Sequence, residues 1–279
     1  MGAAIAARLA SLGHEMMVWN RSADKARATG FKVADSPQAL AGGCEAVVSM
    51  LTDAAAVRSV YGQMLSGDVS GKLFIEMSTV RPGAAREISS LVRKKQAAFV
   101  ECPVGGTIGP AKEGKLFGFA GGDPADFDRA KPLLEQMCRR VEYLGPAGAG
   151  ASMKLAINLP LLVYWQALGE ALSLVKNLNL DPARLMDILG DTSGAPRMLQ
   201  NRGPAVAAAL AGKEGAVSVD VDTLKKDLAE MAEEAKLLGW SAPATEGALR
   251  AFAAASAAGL GAKDCVQMPV FWSASPRKL

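Results

Sequence analysis

The stretch from Pro146 to Lys176 constrains this chain more than any other. From Leu155 to Gly169, fifteen consecutive residues carry no charge. A membrane span needs about 20 such residues, and Asn158 and Gln166 break the apolar run. The stretch therefore reads as a long helix buried between protein layers. A Gly-rich approach, Gly145-Pro146-Ala147-Gly148-Ala149-Gly150, leads into it. Lys154 and Asn158 stand four residues apart, so a helix puts them on one face. A buried ammonium is costly unless it is paired or used. The pattern before the stretch is α/β and the pattern after it is helical. The expectation is an interdomain helix that carries a catalytic lysine.

Composition excludes several classes. At 279 residues the chain can bury two cores, and half of it is hydrophobic, which excludes a disordered chain. Net charge is +3 and the basic residues are scattered, so nothing calls for nucleic acid or an anionic membrane. Cys44, Cys102, Cys138 and Cys265 are far apart and there is a single histidine, so no metal site is expected. Reduced thiols in the cytoplasm are the default. Arg8 comes too early for a signal peptide, and Ala6 stands where a myristoylation start wants Ser or Thr.

Gly2 to Leu12 has helical spacing closed by Gly13, and Glu15 to Trp19 reads as a strand. Asn20-Arg21-Ser22 follows, with Lys25 a turn later. Dinucleotide folds usually carry an acidic residue here for the ribose 2′-hydroxyl. Arg21 could instead pair with a 2′-phosphate through charge-assisted bonds; a solvated loop with Ser22 as N-cap is the other reading. Strands at 46–50, 72–77, 98–100, 116–122 and 140–144 alternate with helices after Asp53, from Pro82 and over 126–137. Such alternation argues for a mostly parallel sheet with its ligand at the carboxyl ends of the strands. Ser78-Thr79 ends one strand, as ligand hydroxyls or as helix caps. Glu101 to Thr107 is a Gly-rich turn whose amides could approach a carboxylate, or a plain turn.

In the second half the long helix runs to about Asn177. Asp181 as N-cap and Pro182 at the first helical position start the next helix. Helices are expected over 182–190, 196–211, 221–238 and 243–258, with Leu224, Leu228, Met231 and Leu238 as one apolar stripe. On spacing alone Lys225, Lys226 and Asp227 read as a solvated face beside it. Phe271 to Leu279 reads as a packed end and a frayed terminus. His14 reads as a surface or capping residue, and Cys102 as packing.

Four features together resemble the β-hydroxyacid dehydrogenases. They are Met1-Gly2 with Leu12-Gly13-His14 and Val18 to Ser22, the loop from Glu101 to Leu116, Gly148-x-Gly150-x-x-x-Lys154-x-x-x-Asn158, and Lys226-Asp227-Leu228. The resemblance implies an α/β chain: a Rossmann-like doubly wound domain over 1–145, an interdomain helix over 146–178, and an all-α C-terminal domain over 179–279 that forms a homodimer. It implies hydride transfer between NADP(H), with NAD possible, and a small hydroxy acid or aldehyde acid. Lys154 matches the family's catalytic lysine, a general acid and base, and Asn158 its companion. Ser78, Gly105 and Gly106 fall at substrate contacts, with Thr107 beside them. Gly2, Asn20, Arg21, Ser22, Lys25, Leu51, Thr52 and Lys226 fall on the cofactor side.

The sequence departs from the family pattern twice. The family opens on a strand and Gly-x-Gly-x-Met-Gly, of which Met1-Gly2 remains. A start placed at an internal methionine accounts for this, and the upstream reading frame is then expected to encode an apolar strand ending in Gly-x-Gly. The family's Pro-Val-Ser-Gly-Gly is here Pro103-Val104-Gly105-Gly106-Thr107, which bears on the substrate. Two other readings stay open, an imine reductase-like enzyme and a non-catalytic dinucleotide-binding oligomerisation module. Lys154 speaks against both.

Overall fold

The computed structural model describes residues 1–274, so the frayed-terminus expectation for the last five residues lies outside the described residues. The chain divides into two compact units, Met1–Leu155 and Ala156–Leu279.

The first unit alternates as its sequence pattern requires. Its strands are β1 (Met17–Val18), β2 (Lys32–Val33), β3 (Ala46–Ser49), β4 (Leu73–Glu76), β5 (Ala98–Glu101), β6 (Val104–Gly105), β7 (Leu116–Gly122) and β8 (Cys138–Tyr143). Its helices are α1 (Gly2–Ser11), α2 (Ala23–Arg27), α3 (Pro37–Gly43), α4 (Ala54–Met64), α5 (Pro82–Lys94), α6 (Ile108–Glu113) and α7 (Pro124–Met137). β1 and β2 form a parallel pair of their own. The larger sheet runs β3-β4-β5-β7-β6, with β8 also on β7. Pairing is parallel from β3 to β5 and between β7 and β8, while β7 runs antiparallel to β5 and β6. No strand among the described residues joins the two sheets.

Both faces of this sheet are covered, which is why its central strands are apolar throughout. Leu73, Ile75, Ala98 and Val100 point into one core with Ile5 and Leu9 of α1 and Leu134 and Met137 of α7. Phe74 and Phe99 point the other way, into a core with Val57, Tyr61 and Met64 of α4 and Ile88 and Val92 of α5. The alternation follows from the two-residue period of a strand. Asp53 caps α4 by accepting from the Ala56 N–H at 2.8 Å, and Asp123 caps α7 through Ala125 at 3.0 Å.

Helix α8 (Ala149–Leu174) continues unbroken through Pro160 and ends in a 3₁₀ turn at Lys176–Leu178. The unit boundary falls inside it. On length and composition alone it could cross a membrane. In the second unit come α9 (Pro182–Gly190), α10 (Arg197–Leu210), α11 (Val221–Leu237), α12 (Pro243–Ala255) and α13 (Gln267–Ala274). Asp181 caps α9 with bonds from Ala183 and Arg184. Gly169 lets α13 lie against α8: a Cβ there would fall 2.9 Å from the Trp272 Cβ and 3.1 Å from the Pro269 Cα. Asp264 is a hub, accepting from Arg202 at 2.5 Å, from the Ser218 N–H and hydroxyl, and from Val266 N–H.

Two sequence expectations are corrected here. The apolar stripe of α11 ends at Met231, because Leu238 is 64% exposed beyond the helix. The 225–227 segment is not a solvated face: Asp227 is buried and both lysines are half-buried.

Candidate active site

The candidate residues follow the carboxyl ends of strands or open helices. α1 starts uncapped by any side chain, and its first turn is exposed at Gly2 and Ala3. A Cβ built on Gly2 would lie 3.8 Å from the Met50 Cβ, so the start of α1 sits beside the end of β3. One residue on, the Leu51 N–H donates to Ser78 Oγ at 2.7 Å. Gly2, Leu51 and Ser78 are thus neighbours. Ser78 is only 2% exposed, and its hydroxyl accepts this backbone donor.

A buried carboxylate stands behind that contact. Glu76 closes β4; its Oε1 accepts from Ser78 N–H at 2.7 Å and its Oε2 from Ser49 Oγ at 2.5 Å. Ser49 Oγ also lies 2.9 Å from the Tyr61 hydroxyl. Burial pushes the Glu76 carboxyl above its ordinary range, and the hydrogen bonds from Ser49 and Ser78 oppose that shift.

After β1, Asn20 Oδ1 accepts from the Ser22 N–H at 2.9 Å, which shapes the turn. Ser22 occupies the N-cap of α2, but its hydroxyl makes no capping bond. Arg21 and Lys25 are exposed, as are Thr52 and Thr107. The loop after β5 is tight. Gly106 has φ +127°, and a Cβ there would meet Leu116 Cδ2 at 2.8 Å, so the turn requires glycine. Cys102 is fully buried and burial pushes its thiol well up, in keeping with packing rather than reactivity. His14 is exposed, with Nε2 2.6 Å from Gln136 Oε1.

Lys154 lies in the second turn of α8 and is buried, with 8% of its surface exposed. Asn158 follows one turn on and is half-buried. Lys226, on α11 in the second unit, is half-buried with its Nζ 2.7 Å from Asp227 Oδ1.

Glu101 escaped the sequence reading as a functional residue. It closes β5 in register with Glu76 of β4, and it is 1% exposed. Its Oε1 accepts from the N–H groups of Gly148 at 2.6 Å and Gly150 at 2.9 Å, at the start of α8. A signal was present: Leu73–Glu76 and Ala98–Glu101 are apolar strands that each end on a carboxylate. In a strand covered on both faces such a residue must find donors.

Two family models divide the chain between them. The NAD-binding domain of 6-phosphogluconate dehydrogenase matches residues 1–145, and the NAD-binding model of NADP-dependent 3-hydroxyisobutyrate dehydrogenase matches residues 148–270. The chain belongs to the β-hydroxyacid dehydrogenase family. Its relatives in this family of NAD(P)-dependent oxidoreductases of CH–OH groups include glyoxylate/succinic semialdehyde reductase 1 of Arabidopsis thaliana, 34% identical over 74% of this chain and 73% of that one. A probable mitochondrial 3-hydroxyisobutyrate dehydrogenase of Dictyostelium discoideum is 33% identical over 69% of this chain. The match spans 62% of that protein's length. Among solved structures, Mycobacterium tuberculosis 3-hydroxyisobutyrate dehydrogenase with L-serine superposes with a TM-score of 0.83 at 28% identity, covering 97% of this chain and 95% of that one.

The residues of this family member fit a nicotinamide dinucleotide. The uncapped, exposed first turn of α1 offers free N–H groups and a positive helix end to a pyrophosphate. Arg21 and Lys25 offer exposed cationic side chains nearby in sequence, and no acidic residue stands at the end of β1.

Proposed function

We propose that this protein interconverts a small hydroxy acid and its aldehyde or keto acid, with NADP(H) as partner and Lys154 as general acid and base. The observation that carries the reading is Lys154 itself: a buried lysine in the second turn of an apolar helix, with Asn158 one turn on, in a chain of this family. Nicotinamide, when bound, supplies or accepts the hydride. In reduction the Lys154 ammonium gives its proton to the substrate oxygen; in oxidation the neutral amine takes the hydroxyl proton. Asn158, on the same helical face, holds the reacting oxygen or the ammonium in line. The loop of Gly105, Gly106 and Thr107 receives the substrate carboxylate, with the Gly106 N–H as donor, since the Gly105 N–H faces Phe117 in the β6–β7 ladder. Ser78 acts one step back, by fixing the Leu51 amide at the cofactor side.

Arg21 and Lys25 favour the 2′-phosphate of NADP, a preference supported by the missing acidic residue after β1. The protein is proposed to work as a cytoplasmic homodimer built through its helical unit. The function is tested by following NADPH oxidation with glyoxylate, succinic semialdehyde and methylmalonate semialdehyde, and NADP⁺ reduction with the corresponding hydroxy acids. Turnover with one or more of these acids is expected, faster with NADPH than with NADH. Turnover with cyclic imines and none with the acids would contradict the reading.

A further inference from the structure

Glu101 is a buried titratable group for which the proposed chemistry has no use, and its surroundings are built around it. Oε1 takes both Gly148 and Gly150 N–H groups, which α8 cannot satisfy within itself. Oε2 is buried and has no hydrogen-bond partner among the described residues. Two glycines make the junction possible. A Cβ on Gly121 of β7 would lie 2.5 Å from Glu101 Oε1, and a Cβ on Gly150 would lie 2.1 Å from the Phe119 carbonyl oxygen. Helix α8 is therefore clamped at its first turn onto β5 and β7, and Lys154 is four residues beyond Gly150.

We propose that Glu101 is a positioning residue for Lys154, holding the first turn of α8 in place so that the lysine is presented in a fixed register. The inference rests on the reading of Lys154 as the general acid and base. Arg86 of α5 is the basic side chain that faces the carboxyl, the buried Glu76 of β4 is its register partner on the neighbouring strand, and the Cys102 thiol is the titratable neighbour on its own strand. β7 contributes only Gly121 at the contact, and α8 its amides. Burial raises the carboxyl to about 7, against the N–H groups of Gly148, Ala151 and Gly150. A proton on Oε2, the oxygen without a donor, leaves both Oε1 bonds in place. The neutral acid is thus the form the closed junction prefers. Opening of the first turn to water releases that proton, so the clamp weakens as pH rises from about 5 to 7 and stays constant above.

The test uses Glu101→Leu, which removes the acceptor, and Glu101→Gln, which keeps it in neutral form. Hydrogen exchange of the amides from Gly150 to Lys154 is measured from pH 5 to 8.5, corrected for intrinsic rates, together with kcat and the KM for NADPH. Two orphaned buried N–H groups predict a ten-fold or greater gain in exchange for Glu101→Leu, on the order of 1 kcal/mol or more per group. Its kcat is expected to fall about ten-fold or more while the KM for NADPH stays within about two-fold. Glu101→Gln is expected to rescue both. It should also abolish the fall in protection that the wild type shows between pH 5 and 7. Should Glu101→Leu fail to fold, the flat profile of Glu101→Gln against the sloping wild type still decides. Equal exchange in wild type and both variants, or a Glu101→Gln as impaired as Glu101→Leu, overturns the clamp. A Lys154→Ala variant with wild-type turnover overturns the reading beneath it instead, and the positioning role with it, whatever the exchange shows.

Discussion

At the scale of single residues, two buried ionisable groups, Lys154 and Glu101, and one missing methyl group, at Gly150, fix the start of α8. Lys154 was legible in the sequence because a lone cation at the start of a fifteen-residue uncharged run has few structural excuses. Glu101 was legible only as a carboxylate ending an apolar strand; its partners lie 47 and 49 residues away, and no local pattern announces them. The same holds for Gly150. The glycine pattern was visible, but the cause, a carbonyl oxygen of β7 where a Cβ would stand, is tertiary. Gly150→Ala is expected to lower stability by about 2–4 kcal/mol, since a backbone clash cannot relax cheaply; urea unfolding measures it. Glu101 also gives stability a pH slope. Its folded value of about 7 lies above the ordinary 4.5, so the folded state binds the proton more tightly than the unfolded chain. Its contribution is therefore fully present below about pH 4.5, is lost as pH rises towards 7 and is flat beyond, by at most about 3 kcal/mol. Glu101→Gln should remove that slope from the urea midpoints.

At the scale of elements, the strands set in apolar runs were legible, the two-residue β1 inside Glu15 to Trp19 among them, and the short strands without such a run were not. β3, β4, β5 and β7 read directly, because burial on both faces leaves a continuous apolar run. β2 and β6, each of two residues, and helices α2, α3 and α6 carry too little periodicity to rise above the loops around them. α11 read correctly as a helix but its burial did not. The charged triplet 225–227 looks solvated by composition, and only tertiary packing buries Asp227. In the helical unit, Asp264 joins α10, the segment before α11 and the start of α13 through four donors. Asp264→Ala leaves Arg202 and the Ser218 and Val266 N–H groups without their acceptor. A loss of about 3–5 kcal/mol is expected, the magnitude for breaking one side of a buried ionic network, read from thermal or urea unfolding. Arg202→Ala, which removes a single partner, should cost less.

At the scale of the whole molecule, an α/β first half, a helical second half and an apolar helix between them were all legible, since each rests on long periodic segments. The family followed from the spacing of weak motifs over nearly the full chain. In the proposed reading, cofactor choice is carried by side chains at one strand end. Arg21→Ala is expected to raise the KM for NADPH about ten-fold or more, the worth of a charge-assisted phosphate contact, and to leave the KM for NADH within about two-fold. Equal effects on the two cofactors would deny Arg21 its phosphate role. The proposed chemistry turns on Lys154. The most direct measurement is single-turnover hydride transfer from bound NADPH to a semialdehyde acid substrate in Lys154→Ala, with NADPH affinity determined in parallel by fluorescence titration. A transfer rate lower by about 10²–10⁴-fold is expected, with NADPH affinity unchanged within about two-fold. A transfer rate equal to that of the wild type would contradict it.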